Sequence, residues 1–241
     1  MNFIDISSHQ AGINLDMVFA QNPIDGLVIK ATQNTNYVNT PYCDKWVQWC
    51  IAHDKPWGFY HFLDPGDPVA QAKYFVKHCT NYFHDGIPIA DFEADAVQYG
   101  AGFLKNFLDT VYNETGVKPM VYCNLSTIQA SVNGFRSIAN AGYPLWLAQW
   151  ASMGEQYGFL EHPWQSGSYE PFKKITMHQY SGHGRLNGYS GDLDLDIFYG
   201  SRADWDALAG KNAEPTPTPE PSDDRTAKII NLLEQIIDLL R

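Results

Sequence analysis

Ile87-Pro88-Ile89-Ala90-Asp91-Phe92-Glu93 is an apolar run that ends in two carboxylates separated by one residue. Side chains two apart on a strand project from the same face, so Asp91 and Glu93 are expected to leave the strand together. Two carboxylates held that close do not both ionise at their ordinary pKa. The proton that one of them keeps is what a general acid near neutral pH requires. Taken alone, a D-x-E pair reads better as the solvated end of a strand.

Outward from this run, other acidic residues sit on other short apolar runs. Asp5 lies in Phe3-Ile4-Asp5-Ile6, and the alternation of Asp192-Leu193-Asp194-Leu195-Asp196-Ile197-Phe198 sends residues 192, 194 and 196 to one face. From residue 3 to about residue 200, short apolar runs alternate with longer amphipathic ones, the pattern of a largely parallel α/β domain. Strands are expected near 3–6, 26–31, 56–62, 87–92, 118–122, 144–148, 174–179 and 193–198, and helices near 41–54, 67–82 and 101–115. Eight strands suit a closed barrel. Helical patterns in the second half are weak or short, so the expected fold is an irregular, partly degenerate TIM-like (β/α) barrel. Catalytic groups of such a barrel come from the carboxyl ends of several strands, which brings Asp5, Asp91, Glu93 and Asp194 to one mouth. Calcium is the competing use of an acidic cluster, but the D-x-D-x-D run lacks the glycine and the closing glutamate of a calcium loop.

The chain has 241 residues, enough for one large domain with an appendage. Its net charge of −11, with no basic cluster, argues against nucleic acid, whose phosphates require clustered Lys and Arg. Cys43, Cys50, Cys79 and Cys123 have neither the spacing of a disulfide framework nor that of a zinc site, and read as buried thiols. No metal or organic cofactor is implied. Met1 leads straight into a strand, without the basic start and apolar stretch of a signal peptide, and no run is long enough to span a membrane.

Residues 1–211 therefore form the expected catalytic domain. A Pro/Thr-rich linker follows over 212–222, where alternating prolines favour an extended spacer. Residues 223–241 read as an amphipathic helix, with Ile229, Leu232, Ile236 and Leu239 in one seam and Ile230, Leu233, Ile237 and Leu240 beside it. A face that wide suits homo-oligomerisation through 223–241, docking onto another surface, or membrane-surface binding.

Several blocks, in order, carry a family resemblance: Phe3-Ile4-Asp5-Ile6-Ser7-Ser8-His9-Gln10, Val28-Ile29-Lys30-Ala31-Thr32, Gly58-Phe59-Tyr60-His61-Phe62, Asp91-Phe92-Glu93, Val121-Tyr122, Pro144-Leu145-Trp146-Leu147-Ala148, His178-Gln179-Tyr180 and Leu193-Asp194-Leu195-Asp196. Over about residues 2–205 they resemble the glycoside hydrolase family 25 lysozymes, the Chalaropsis-type muramidases. The resemblance implies an irregular α/β barrel that hydrolyses the β-1,4 bond between N-acetylmuramic acid and N-acetylglucosamine in bacterial peptidoglycan. It implies Glu93 as general acid, Asp91 as the carboxylate supporting the reacting centre, and Asp5 and Asp194 as groups that tune charge and hold the sugar. Tyr60, Tyr122 and Trp146 match the aromatic positions of the family's cleft, with Lys30 and Gln179 as polar contacts or as an internal pair within the barrel. Gln33-Asn34 departs from a common Glu-Gly, and Asp196 from a common Asn. For Asp91 the sequence leaves open a nucleophile, a base and a stabiliser of an attacking 2-acetamido group, of which the last is favoured.

A muramidase without an export signal fits a phage endolysin that stays in the host cytoplasm until a holin-type pore releases it. A bacterial autolysin of the same activity and a catalytically inactive glycan-binding barrel are the alternatives. A chitinase is disfavoured, because its D-x-x-D-x-D-x-E run is missing at 86–93.

Overall fold

In the computed structural model, which describes residues 1–211, eight strands close on themselves. The expected linker 212–222 and helix 223–241 lie outside the described residues. The strands are β1 (Asn2–Ile6), β2 (Gly26–Gln33), β3 (Tyr37–Val38), β4 (Trp57–Phe62), β5 (Ile87–Asp91), β6 (Met120–Asn124), β7 (Leu145–Ala148), β8 (Gln156–Tyr157), β9 (Met177–Arg185) and β10 (Leu193–Phe198). The barrel runs β1, β10, β9, β7, β6, β5, β4, β2 and back to β1, while β3 and β8 are two-residue extensions on β2 and β9. Around it lie α1 (Leu15–Gln21), α2 (Tyr42–Ala52), α3 (Pro68–Cys79), α4 (Gly100–Thr115), α5 (Leu125–Ala130), α6 (Val132–Asn140) and α7 (Arg202–Ala209).

The irregularity is sharper than weak helical patterns alone imply. β10 pairs antiparallel with both β9 and β1, against the parallel direction of the rest of the barrel. The cause is the short connection over residues 186–192. A parallel crossover takes a dozen or more residues, so this one returns as a hairpin. The expectation that every acidic residue sits at the carboxyl end of its strand therefore fails for Asp194. It lies near the amino end of β10 and reaches the same mouth because β10 runs the other way, opposite Asp5 in register.

The barrel interior follows the period of two along each strand and changes character from one end to the other. Phe3, Val28, Ile89, Met120, Met177 and Phe198 fill the lower part. One step further along the same strands stand Asp5, Lys30, Asp91, Tyr122, Gln179 and, after the reversal of β10, Asp196. The lower end is closed by α7, which Ser201 caps by accepting from the Asp204 N–H. Its fully buried Trp205 stacks on Phe3 with ring centroids 4.2 Å apart, meets Phe198 edge-on at 5.0 Å, and donates its indole N–H to the Trp57 carbonyl at 3.2 Å. A tryptophan so enclosed is worth about 3–5 kcal/mol against alanine. At Gly26 a Cβ would stand 2.2 Å from the Phe3 ring, so this packing admits no side chain there. With its base plugged, the barrel is open at the polar end only.

Outside the barrel wall, Phe59, Phe75, Phe83 and Phe107 pack between the strands, α3 and α4. The four cysteines are all free thiols in this buried material, and burial pushes Cys43 up to about 12.

Candidate active site

An open cavity of about 310 Å³ occupies the polar end of the barrel. Asp5, Asp91, Glu93, Asp194, Tyr60, Tyr122, Trp146, Lys30 and Gln179 all line it. They come from β1, β2, β4, β5, β6, β7, β9 and β10, so the closure of the sheet, not nearness in sequence, brings them together.

The acidic pair is set by the residue between its members. Phe92 is fully buried between Phe103 and Phe135, with ring centroids at 6.5 and 6.4 Å, and its N–H donates to the Tyr122 carbonyl at 2.9 Å. Glu93 keeps an extended backbone, so the strand's alternation continues past Asp91 and both carboxylates face the cavity. Ala94 then turns the chain away through a left-handed conformation, φ 48°. Asp91 Oδ1 is buried with no hydrogen-bond partner among the described residues.

A second set of contacts centres on Gln179. Its Nε2 donates to Asp5 Oδ2 at 2.9 Å, while its Oε1 accepts from the Tyr122 hydroxyl at 2.9 Å and from Trp150 Nε1 at 3.2 Å. Trp146 Nε1 donates to Asp196 Oδ1 at 3.0 Å. The third set holds the cation. Lys30 Nζ donates to Gln33 Oε1 at 2.7 Å and lies 4.5 Å from the Phe62 ring centroid, and Gln33 Nε2 donates to Asp64 at 2.9 Å. Asn34, next in the chain, has φ 50°, a conformation that asparagine tolerates better than most residues other than glycine. Beneath this loop the fully buried His61 touches Thr32 and Gln71, and burial lowers its pKa to about 3, so it is neutral.

Charge crowding dominates the electrostatics. Burial, then Asp194 and Asp196, push Asp5 well above the carboxylate range. Burial and Glu93 do the same to Asp91, with Lys30 opposing. Burial raises Glu93 also, again against Lys30, and carries Asp194 to about 6. Lys30 is itself lowered by burial and held up by Asp91, Asp64 and Glu93. Burial and the surrounding carboxylates raise Tyr60 and Tyr122, which remain neutral hydroxyl donors. Such a pocket holds protons, repels anions and stabilises positive charge that develops on a bound molecule.

The Asp192-Leu193-Asp194-Leu195-Asp196 run is divided among three surroundings. Asp192 is exposed and pairs with Arg185 and His183, Asp194 lines the cavity, and Asp196 is fully buried below it. Ser7, His9, Gln10, Phe62 and Trp150 also line the cavity, although the sequence reading did not single them out as site residues. Phe62 and Trp150 carried a usable signal. Phe62 lies two residues past Tyr60 on the same face of β4, and Trp150 follows shortly after Trp146, just beyond the end of β7.

The family model for glycosyl hydrolases family 25 matches residues 4–189. The autolytic lysozyme of Clostridium acetobutylicum is 28% identical over 201 residues, which are 82% of this chain and 56% of that protein. A lysozyme of Streptococcus phage Cp-1 is 26% identical over 187 residues, 71% of this chain and 52% of that one. The chain thus spans about half the length of these two relatives. Among solved structures, the bacterial lysozyme from Streptomyces coelicolor superposes with a TM-score of 0.71 at 25% identity, over 88% of this chain and 98% of that one.

Folding stability should fall as pH rises from about 7.5 to 8.5. In that range His61 and His178, whose pKa values burial lowers from 6.5, are neutral in the folded and the unfolded chain and contribute nothing. The Asp5–Asp196 and Asp91–Glu93 pairs are fully ionised when unfolded, whereas each resists giving up its last proton when folded. The unfolded chain therefore binds fewer protons, and stability declines by up to about 1.4 kcal/mol per pH unit for each proton held. Thermal denaturation across this range measures the slope, and a melting temperature that stays flat or rises would mean that the folded carboxylates are already ionised.

Proposed function

Because the chain belongs to glycosyl hydrolases family 25, we propose that it is a muramidase that cleaves the β-1,4 bond between N-acetylmuramic acid and N-acetylglucosamine in bacterial peptidoglycan. One observation supports this reading above the others. The nine residues that the sequence singles out, four of them acidic, line a single open cavity at the polar end of the barrel.

In this mechanism Glu93 and Asp91 hold one proton between them, as two carboxyl groups in close interaction do. When the glycan binds, the proton is on Glu93, at the more exposed position, and moves to the glycosidic oxygen as the bond to the anomeric carbon breaks. Positive charge develops on the sugar ring, where the acidic cluster stabilises it. Asp91 orients the substrate's 2-acetamido group, whose carbonyl oxygen attacks the anomeric carbon, and water then opens the resulting ring with Glu93 acting as base. Asp5, gripped by Gln179, and Asp194 set the field beneath the sugar. Lys30, hydrogen-bonded to the neutral Gln33, directs its charge toward Asp91 and Glu93 and prevents both from staying protonated. Tyr60, Tyr122 and Trp146 line the cavity with aromatic rings for the glycan, while the polar hydrogens of Tyr122 and Trp146 are held by Gln179 and Asp196.

Glu93→Gln should lower wall lysis by about 10²- to 10⁴-fold, the usual worth of a general acid, with the fold unchanged by circular dichroism. Turbidity clearing of purified walls, with identification of the new reducing sugar, measures this. Muramic acid at the reducing end is expected. Glucosamine there would contradict the bond assignment, and a wild-type chain that binds walls without releasing reducing sugar would favour the inactive glycan-binding barrel.

For its setting we infer lysis at the end of phage infection. Support comes from the likeness to a lysozyme of Streptococcus phage Cp-1, and among the described residues no helix is long and apolar enough to cross a membrane. Expressed inside a susceptible host, the chain should clear the culture only after the membrane is permeabilised, as by a holin-type pore. Clearing of intact cells without permeabilisation would contradict that route.

A further inference from the structure

Asp196 lies one interior step below the cavity and is fully buried. Its Oδ1 accepts from Trp146 Nε1, and its Oδ2 is buried with no partner among the described residues. An ionised carboxylate only accepts hydrogen bonds, and a buried oxygen left unmatched is costly. A protonated one is a donor, and an acceptor is at hand. Asp196 stands opposite Phe3 on β1, and the next interior residue of β1, Asp5, is within hydrogen-bonding reach.

We propose that Asp196 is a positioning residue: its Oδ2 keeps a proton and donates it to the Asp5 carboxylate, fixing Asp5 in the orientation that Gln179 grips from the other side. The groups facing Asp196 favour this state. Asp5 from β1 and Asp194 from its own strand are acidic, Tyr180 from β9 is the further titratable neighbour, and β7 and β9 turn the uncharged Trp146 and Gln179 toward it. Burial and the Asp194 charge hold the Asp196 proton well above the carboxylate range. When Asp196 ionises, the donor is lost and Asp5 meets another negative charge. The device therefore sets an alkaline limit to the site. Its effect on catalysis rests on the muramidase reading, but its effect on folding does not.

Asp196→Asn keeps the shape, a donor toward Asp5 and an acceptor for Trp146, but has no proton to lose. The melting temperature of this variant should decline less steeply than that of the wild type between about pH 6.5 and 8. On a soluble peptidoglycan oligomer it should retain cleavage at its optimum and keep activity to higher pH than the wild type. Asp196→Leu, which removes the donor, should lower kcat by about 10- to 100-fold, the worth of one hydrogen bond to a charged group, with less change in KM. Parallel melting curves for Asp196→Asn and wild type would overturn the proposal, and so would an identical alkaline limb. If Asp196→Leu does not fold, the Asn variant decides the matter alone. A wild-type chain without muramidase activity would leave the melting comparison intact, so failure of the functional reading is told apart from failure of this one.

Discussion

Mutual repulsion among carboxyl groups confined to one end of a barrel governs this molecule. Asp5, Asp91, Glu93, Asp194 and Asp196 reach that end from three strands and one strand end, into surroundings that burial makes poor at screening charge. The fold meets this cost in three ways. Some of the acids keep their protons, Lys30 supplies one cation, and Gln179, Tyr122, Trp146 and Trp150 supply uncharged donors directly or in relay. The rest of the barrel makes the crowding sustainable. Trp205 and the aromatic base beneath it close the lower end, so the polar groups meet solvent on one side only.

That arrangement also explains why the site is preorganised. Gln179 uses one amide to bind Asp5, Tyr122 and Trp150, which come from β1, β6 and the segment after β7. Rotation of that amide would set oxygen against oxygen at Asp5 and donor against donor at Trp150. The Lys30–Gln33–Asp64 series acts in the same manner on the opposite wall, anchored through Gln71 to the neutral His61. A cleft whose donors are already aimed needs little rearrangement when charge develops on a sugar.

Much of this was legible in the sequence because both signals are local. The period of two that places Asp91 beside Glu93 also carries Lys30, Tyr60, Tyr122 and Trp146 to the inner face, and the eight barrel strands follow from runs of apolar residues between turns and helices. Three features resisted. The reversal of β10 depends on the length of the connection after Arg185, and its Asn187-Gly188 dipeptide is a turn signal that the strand pattern alone does not weigh. The plug by Trp205 is a long-range contact, since a lone tryptophan in a short amphipathic helix does not disclose what it stacks on. The division of the acidic run, with Asp192 paired at the surface and Asp196 sealed below, follows from strand register. Sequence alternation gives a common face to residues that the barrel then distributes by depth.

The central claim is that several of these carboxyl groups remain protonated where ordinary aspartates have long ionised. Carbon-13 NMR titration of the folded protein, labelled at its aspartate and glutamate carboxyl carbons, reads this directly. The Asp5–Asp196 and Asp91–Glu93 pairs are each predicted to release their last proton well above the ordinary carboxylate range, with midpoints displaced upward by burial and by their neighbours. A spectrum in which every carboxyl carbon has completed its shift by about pH 5, the range of unperturbed groups, would contradict the account.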